Sequence, residues 1–189
     1  LAKPGGNVTG VNVFLEVLEG KRLGLLGELF PSAAVIGVLH YSEGLASVTQ
    51  LNDIRAAAEA IHRQVRILNA STEQDIHTAF TTLAQSRIGA LLVTANPFFN
   101  SRRDQLVTLA AHYAIPAIYE LREYAAAGGL MSYGTSLPEA YRQAGLYVSR
   151  ILKGEQPANL PVLQPTKFVF VLNLKTARVL SLNIPPGVL

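Results

Sequence analysis

The 189-residue chain contains no cysteine and no tryptophan, and only 15% of its residues are charged. Without cysteine, a disulfide scaffold, a thiolate metal site and a cysteine nucleophile are excluded. The formal net charge is only +3 and the basic residues are scattered, so we expect no nucleic-acid-binding patch. No apolar run reaches the roughly 18 residues of a membrane-spanning helix. The 49% hydrophobic residues nevertheless predict a folded domain with a sizeable core.

The chain begins at Leu1, directly before a Pro-Gly-Gly turn, without a methionine. Its first residues form neither the charged segment nor the apolar segment of a signal peptide. From the sequence we therefore expect a fragment or a processed product rather than an intact gene product.

Short apolar runs alternate with amphipathic segments of helical period along the first two thirds of the chain. The predicted strands are Val35–Leu39, Val65–Leu68, Ala90–Val93, Ala117–Tyr119, Leu130–Tyr133 and Phe168–Leu172. Such alternation is typical of βαβ units, in which helices cover both faces of a parallel sheet. The sequence therefore predicts an α/β fold with a Rossmann-like parallel sheet.

Helix boundaries can be predicted from capping residues. Ser71, with Gln74 three residues later, is a candidate capping box, and Ser101 precedes the fourth predicted helix. A long amphipathic helix is predicted over Leu137–Lys153, which has a proline in its first turn and a glycine directly after it. A final helix is predicted from about Leu174 to Leu180.

Motifs for catalysis or nucleotide binding are absent from the sequence. The glycines at positions 20, 24 and 27 lie inside a predicted helix with the wrong spacing for a dinucleotide-binding loop, so they predict close helix packing. Neither a Walker A loop nor a Gly-x-Ser-x-Gly elbow is present. The four histidines are isolated, and His62, His77 and His112 are predicted on helix surfaces. We therefore expect no metal, no cofactor and no enzymatic activity.

The candidate binding site follows from the geometry of an open parallel sheet, where ligands bind beyond the carboxyl ends of the strands. The residues predicted there are His40, Tyr41, Ser42, Asn96, Phe98, Phe99, Tyr119, Glu120, Arg122 and Tyr133. Aromatic side chains with a few polar groups suit a small organic ligand. An alternative is that Phe98 and Phe99 only close the core beneath a loop.

Several segments resemble one family in the same order. They are Pro4–Val11, Ala127–Gly134, Ile151–Gly154, Leu160–Phe168 and Asn173–Ala177. Together they resemble ABC-transporter substrate-binding proteins of the tryptophan/tyrosine type, and the resemblance runs from the first residue to the last. It implies a type I periplasmic-binding fold, in which three crossovers join two Rossmann-like lobes. It further implies a periplasmic protein that traps a small-molecule solute and delivers it to an ABC permease in the membrane.

The resemblance also implies that this chain is the second lobe without the N-terminal lobe. Residues 1–136 would form the ligand-binding lobe, with the first crossover at 7–11 and the second at 133–135. The helix within 137–154 would belong to the missing lobe. Residues 155–189 would contain the third crossover, at 164–167, and then the last strand and helix, which return to the ligand-binding lobe.

Roles for the site residues follow from the same resemblance. Tyrosine and phenylalanine rings would enclose the ligand, Asn96 and Ser42 would donate hydrogen bonds, and Arg122 could pair with a carboxylate. Amino-acid-binding relatives carry an Asp-Asn pair where this chain has Asn96–Phe99. This difference argues against tryptophan or tyrosine as the ligand and is compatible with a planar or apolar solute.

Two other functions remain open at this point. The same fold serves as the effector-sensing domain of transcription regulators. A small Rossmann-like enzyme would need a base or nucleophile, for which His40 and Glu120 are the candidates.

The predicted long helix also bears on the oligomeric state. Its apolar stripe is Tyr141, Ala144, Val148, Ile151 and Leu152. With no first lobe to cover this stripe, we expect the fragment to form a homodimer.

Overall fold

The computed structural model of the chain describes residues 4–13, 18–43, 46–86, 88–164 and 167–184. The strands are β1 (Val35–His40), β2 (Gln64–Asn69), β3 (Ala90–Val93), β4 (Ala117–Tyr119), β5 (Met131–Thr135) and β6 (Phe168–Leu172). Every predicted strand is present, and its ends lie within two residues of those predicted. The prediction of an α/β fold is confirmed.

The strands form one six-stranded sheet in the order β2-β1-β3-β4-β5-β6. Strands β1 to β5 pair in parallel, as the alternating pattern predicted. Strand β6 instead runs antiparallel to β5, with Thr135 opposite Phe168 and Met131 opposite Leu172. A strand that follows a long crossover is not bound by the βαβ rule, so the alternation did not predict its direction.

Helices cover both faces of the sheet. They are α1 (Glu19–Leu29), α2 (Ala46–Ala60), α3 (Glu73–Gln85), α4 (Pro97–Ser101), α5 (Arg103–His112), α6 (Arg122–Ala126), α7 (Leu137–Leu152) and α8 (Leu174–Val179). Helices α3 to α6 share one core with Leu39, Val93 and Tyr119. Helices α1, α2 and α8 share the other core with Val38 and Ile118. Because both faces are covered, all four residues of β3 are buried.

The capping box of α3 is shifted by one residue from the prediction. Thr72, not Ser71, accepts a hydrogen bond from the backbone N–H of Asp75 at 3.1 Å, and Asp75 accepts from the N–H of Thr72 at 2.9 Å. Asp75 also accepts from the N–H of Ser71 at 3.0 Å. A carboxylate at this position also interacts favourably with the positive end of the helix dipole, which Gln74 could not do.

The prediction that Ser101 caps the fourth predicted helix is wrong, because Arg102 is the residue directly before that helix, α5. Ser101 is the last residue of the short helix α4, and its hydroxyl donates to the carbonyl of Phe98 at 2.7 Å. Asn96 begins α4, because its side chain accepts from the backbone N–H of Phe98 and Pro97 occupies the first turn.

Close helix packing explains two of the glycines in α1. A Cβ atom at Gly20 would lie 3.3 Å from Cβ of Ala57, and one at Gly27 would lie 3.2 Å from Cδ1 of Ile61. Helix α2 therefore approaches α1 more closely than larger residues would allow. His62 is exposed, as predicted, but lies just after α2 with a positive φ of 54° rather than inside a helix.

The segments around residues 10 and 162 run side by side. Val11 and Leu163 form a parallel bridge. The N–H of Leu163 donates to the carbonyl of Gly10, and the N–H of Asn12 donates to the carbonyl of Leu163, both at 2.9 Å. Helix α7 attaches to this ribbon through the hydroxyl of Tyr147, which donates to the carbonyl of Pro161 at 2.7 Å.

Most of helix α7 is not covered by the rest of the chain. Its buried residues are Ala140 and Tyr147. Within the predicted apolar stripe, Tyr141 is 73% exposed, Val148 is 55% exposed and Leu152 is 82% exposed. The stripe is therefore open to a partner.

We expect this chain to self-associate through α7. Burying each large apolar side chain contributes roughly 1.5–3 kcal/mol, so covering the stripe favours association. Sedimentation at increasing protein concentration should show dimers, and Val148→Asp with Leu152→Asp should remain monomeric. Ser149→Asp, on the polar side of the same helix, should associate like the unsubstituted chain. A chain that stays monomeric throughout would contradict the expectation.

The capping box of α3 predicts a pH-dependent contribution to stability. Hydrogen bonds from the backbone of Ser71, followed by those from Thr72, hold the pKa of Asp75 below its usual value. Because the folded-state pKa is depressed, this contribution is present at neutral pH and is lost as the pH falls through that pKa. Asp75→Asn should therefore lower the free energy of unfolding at neutral pH, with a difference from the unsubstituted chain that shrinks in acid.

Urea unfolding at a series of pH values measures this effect. Asp53→Asn, at an exposed position in α2, is the matched control and should show no such trend. If the free energy of unfolding of Asp75→Asn differs from that of the unsubstituted chain by the same amount at every pH, the Asp75 carboxylate makes no pH-dependent contribution to stability.

Candidate functional site

The strand register brings the predicted site residues to one edge of the sheet. The paired Cα atoms near this edge are Leu39 with Val93, Leu92 with Ile118, and Tyr119 with Ser132. Extending the β1–β3 and β4–β5 pairs by one residue and the β3–β4 pair by two places His40, Thr94, Glu120 and Tyr133 at the same level. This level lies at the carboxyl ends of β1, β3 and β4, where open α/β sheets bind ligands.

The switch in strand order falls between β1 and β3. From β1 the chain continues to β2 on one side, and β3 then pairs with β1 on the other side. Connections that leave neighbouring strands in opposite directions open a crevice between them. Tyr41 and Ser42 follow β1 at this crevice, and Asn96 follows β3.

An aromatic cluster of Tyr41, Phe98 and Phe99 lies beside this crevice. The ring of Tyr41 is centred 5.3 Å from that of Phe98 and 6.4 Å from that of Phe99. Phe99 is completely buried, whereas Tyr41 and Phe98 are half-buried. The Arg102 guanidinium lies 4.6 Å from the centre of the Phe98 ring, in cation–π contact. Tyr41 and Phe98 therefore present the aromatic surface, and Phe99 supports it from the core.

A second aromatic pair lies beneath β4. Tyr119 is completely buried, and its ring stacks on that of Tyr124 with 4.4 Å between the ring centres. Burial raises the pKa of both hydroxyls. In the described part of the chain, the Tyr119 hydroxyl has no hydrogen-bond partner. Like Phe99, Tyr119 supports the site from below and presents no surface in this structure.

Tyr124 fixes the orientation of a neighbouring polar group. Its hydroxyl donates to Oδ1 of Asn100 at 3.0 Å, and Nδ2 of Asn100 donates to Oε1 of Glu120 at 2.5 Å. Glu120 is thus held by a buried hydrogen-bond chain at the level of the strand ends. The prediction singled out Glu120, but neither Asn100 nor Tyr124.

Glu19 connects three parts of the site edge. Its Oε1 atom accepts from the backbone N–H of Ala95 at 2.8 Å and from Nε2 of Gln50 at 3.2 Å. Gln50 also hydrogen-bonds to His40, which is buried, and this burial lowers the pKa of His40. Helix α1, helix α2 and the ends of β1 and β3 are therefore held together by polar contacts.

Arg22 extends this network to β5. Its Nη1 atom lies 3.1 Å from Oε2 of Glu19, and its Nε donates to the carbonyl oxygen of Tyr133 at 2.7 Å. Neither Glu19 nor Arg22 was predicted from the sequence. A signal was present, because both lie at helical spacing on the face of α1 that carries Leu26 and Leu29. Charged residues within such an apolar stripe indicate a buried pair.

The remaining predicted residues differ in their surroundings. Ser42 is exposed after β1, and Arg122 is exposed at the start of α6. Tyr133 packs with the core of α1 and α2, and its ring is centred 6.1 Å from that of Phe168. Asn96 uses Oδ1 to cap α4, so Nδ2 is the amide atom that could donate to a ligand, as predicted. Whether these residues contact a ligand remains a prediction.

A cavity of about 190 Å³ lies where the three predicted crossovers meet. Val11 lines it from the first crossover, Thr135 from the second and Gln164 from the third. Glu139 and Gln143 of α7 complete part of its wall. The three segments that the resemblance assigned to crossovers are therefore neighbours in space.

The described residues contain neither a candidate metal site nor a candidate membrane-spanning helix. No group of three or more His, Asp or Glu side chains could hold a metal ion within residues 4–13, 18–43, 46–86, 88–164 and 167–184. In the same ranges, no helix is long and apolar enough to cross a membrane.

Comparison with known families identifies the chain. The model of the family described as "ABC transporter substrate binding protein" matches residues 1–189. The chain belongs to this family. Its fold matches one lobe of the periplasmic-binding proteins, as the resemblance implied.

Relatives with solved structures or curated descriptions agree with this assignment. A "Tyrosine-binding protein" of Clostridioides difficile (strain R20291) is 25% identical over 97% of this chain and 52% of its own length. The crystal structure of an ABC domain in complex with L-Trp, from Streptococcus pneumoniae, is 26% identical with a TM-score of 0.81, covering 100% of this chain and 64% of that one. A conserved domain protein of Vibrio cholerae is 22% identical with a TM-score of 0.84, covering 100% of this chain and 63% of that one.

The chain thus spans about half the length of the curated relative and under two thirds of these solved structures. That this chain is one lobe of a larger family member stays a prediction. The boundaries of 1–136, 137–154 and 155–189 remain predictions.

The two stacked tyrosines should respond differently to loss of their hydroxyls. Tyr119→Phe removes a buried hydroxyl without a partner among the described residues, so the free energy of unfolding should stay the same or rise by up to about 1 kcal/mol. Tyr124→Phe removes the donor to Asn100 and should lower the free energy of unfolding by about 0.5–1.5 kcal/mol. Urea unfolding of both variants tests the assignment, and equal losses would contradict it.

Proposed function

We propose that this chain is the ligand-binding lobe of a solute-binding protein for an ABC importer, and that it captures a small aromatic or amino-acid-like solute. The observation that carries the proposal is the half-buried aromatic surface of Tyr41 and Phe98 at the switch point of the sheet. Ligand sites in open α/β sheets lie at this place, and aromatic rings with a few polar groups suit a planar solute.

Polar groups beside the aromatic surface would orient the solute. Asn96 and Ser42 follow neighbouring strands and would donate hydrogen bonds. Arg122 is exposed at the start of α6 and would pair with a carboxylate after turning towards the crevice. L-tryptophan and L-tyrosine are the first solutes to test, because the two relatives above are described as binding them.

The proposed mechanism requires binding and closure without covalent chemistry. The first lobe would close over the edge of the sheet that carries Tyr41 and Phe98, and the closed state would be favoured by the additional contacts that the solute makes there. The crossovers would act as the hinge, and their meeting point around Val11, Thr135 and Gln164 supports this role.

The remaining parts of the proposal follow from the family. A solute-binding protein of an importer passes its solute to a permease in the membrane, so we propose an ABC permease as partner. We also propose a periplasmic location, where such a protein would meet its solute before transport.

The proposal predicts weak binding by this chain alone. With one lobe present, a solute contacts roughly half of its surroundings, so the dissociation constant should be on the order of millimolar rather than micromolar. Nuclear magnetic resonance (NMR) titration with L-tryptophan and with L-tyrosine measures affinities in this range, and should shift the signals of residues around Tyr41 and Asn96.

Matched substitutions locate the site. Tyr41→Ala should weaken binding by about three- to tenfold, the range expected for losing one aromatic contact. His77→Ala, at an exposed position in α3, should bind like the unsubstituted chain. Failure of the chain to bind either amino acid, or equal binding by Tyr41→Ala, would count against the proposal.

A further inference from the structure

A buried ion pair lies behind the candidate site. Glu19 and Arg22 lie one turn apart at the start of α1 and are only 1% and 0% exposed. Removing two charges from water is costly, and their attraction offsets that cost only when further hydrogen bonds satisfy both groups. A buried pair is therefore weak evidence for stability, and its better-supported use is to fix one arrangement of the elements it joins.

Both members of the pair reach the backbone of the site. Glu19 accepts from the N–H of Ala95, which directly precedes Asn96. Arg22 donates to the carbonyl oxygen of Tyr133, at the start of the predicted second crossover. The distance is 2.8 Å from Ala95 to Glu19, 3.1 Å from Glu19 to Arg22 and 2.7 Å from Arg22 to Tyr133. They join the loop after β3 to strand β5, although β4 lies between the two strands.

The surroundings of Arg22 leave little room for another arrangement. A Cβ atom at Gly134 would collide with the carbonyl oxygen of Glu120 and would lie 3.6 Å from Nη2 of Arg22. The backbone of β5 therefore packs directly against both the end of β4 and the guanidinium group. An arginine suits this place, because its planar group donates in two fixed directions and a lysine ammonium does not.

We propose that Arg22 is a positioning residue for solute binding, which acts through Glu19 and the Tyr133 backbone and touches no solute itself. It holds the start of α4, from Asn96 to Phe98, at a fixed distance from the second crossover before the solute arrives. A loop that is already in place loses less conformational freedom on binding, so the solute binds more tightly. This inference rests on the proposed solute-binding function.

The test separates positioning from stability. Replacing both members of a buried ion pair with apolar residues of similar size avoids leaving one uncompensated charge, so Glu19→Met with Arg22→Met is the main variant. Arg22→Lys is the second variant, because it keeps the charge but loses one direction of donation. Arg150→Met with Glu155→Met removes an exposed ion pair outside the site and serves as the control.

The probes are L-tryptophan and L-tyrosine, titrated into the full chain and followed by NMR. We expect the double Met variant to raise the dissociation constant at least tenfold and Arg22→Lys to raise it at least threefold, with the control unchanged. The Ala95 amide is the readout of position. In the double Met variant its proton resonance should move upfield, and its exchange with solvent should accelerate, because it loses the Glu19 carboxylate.

Each outcome leads to a different conclusion. If the unsubstituted chain binds a probe, and the dissociation constants of both variants lie within twofold of its value, Arg22 does not position the site. The same conclusion follows if the Ala95 amide is unchanged in the double Met variant. If that variant does not fold, Arg22→Lys decides the question by its affinity alone. If the unsubstituted chain binds neither probe, the proposed solute-binding function fails, and the positioning role fails with it.

Discussion

The in-register pairing of β1, β3, β4 and β5 is the constraint on which the site depends. The backbone hydrogen bonds of these strands fix the carboxyl ends of β1, β3 and β4 at one level with the middle of β5, so that residues distant in sequence become neighbours. Side chains at this level are then supported from two separate cores, one on each face of the sheet. The candidate site is therefore a consequence of sheet geometry, and its individual side chains add specificity to a position that the backbone has already set.

Support from below distinguishes this site from a surface groove. Phe99 and Tyr119 are completely buried beneath it, and Glu120 is held by a chain of hydrogen bonds through Asn100. Rotamers locked by packing keep the exposed members of a site close to one geometry. The aromatic surface of Tyr41 and Phe98 thus lies on a rigid base, which suits capture of a solute better than a loop that must first become ordered.

Sequence patterns predicted the elements well because burial on both faces of a parallel sheet leaves continuous apolar runs, as in Ala90–Val93. The edge proposed for the candidate site follows from the same pattern, since strand ends define that edge. The sequence patterns were less accurate where neighbouring residues can fill the same structural role. Ser71 and Thr72 can both cap a helix, and only the reach of the Asp75 carboxylate decides between them. The Glu19–Arg22 pair was missed because its partners, the backbones of Ala95 and Tyr133, come together only through tertiary contacts.

The ribbon formed by the segments around residues 10 and 162 reduces the freedom of the proposed hinge. Backbone hydrogen bonds on both sides of Leu163 tie the first segment to the last, so the two cannot bend independently. Three separate linkers could twist and shear in many combinations. Here the ribbon would be one connection between the two lobes and the end of β5 would be a second. Two connection points define a line. Rotation about that line is the motion that stretches neither connection, so the two lobes would open about a single axis.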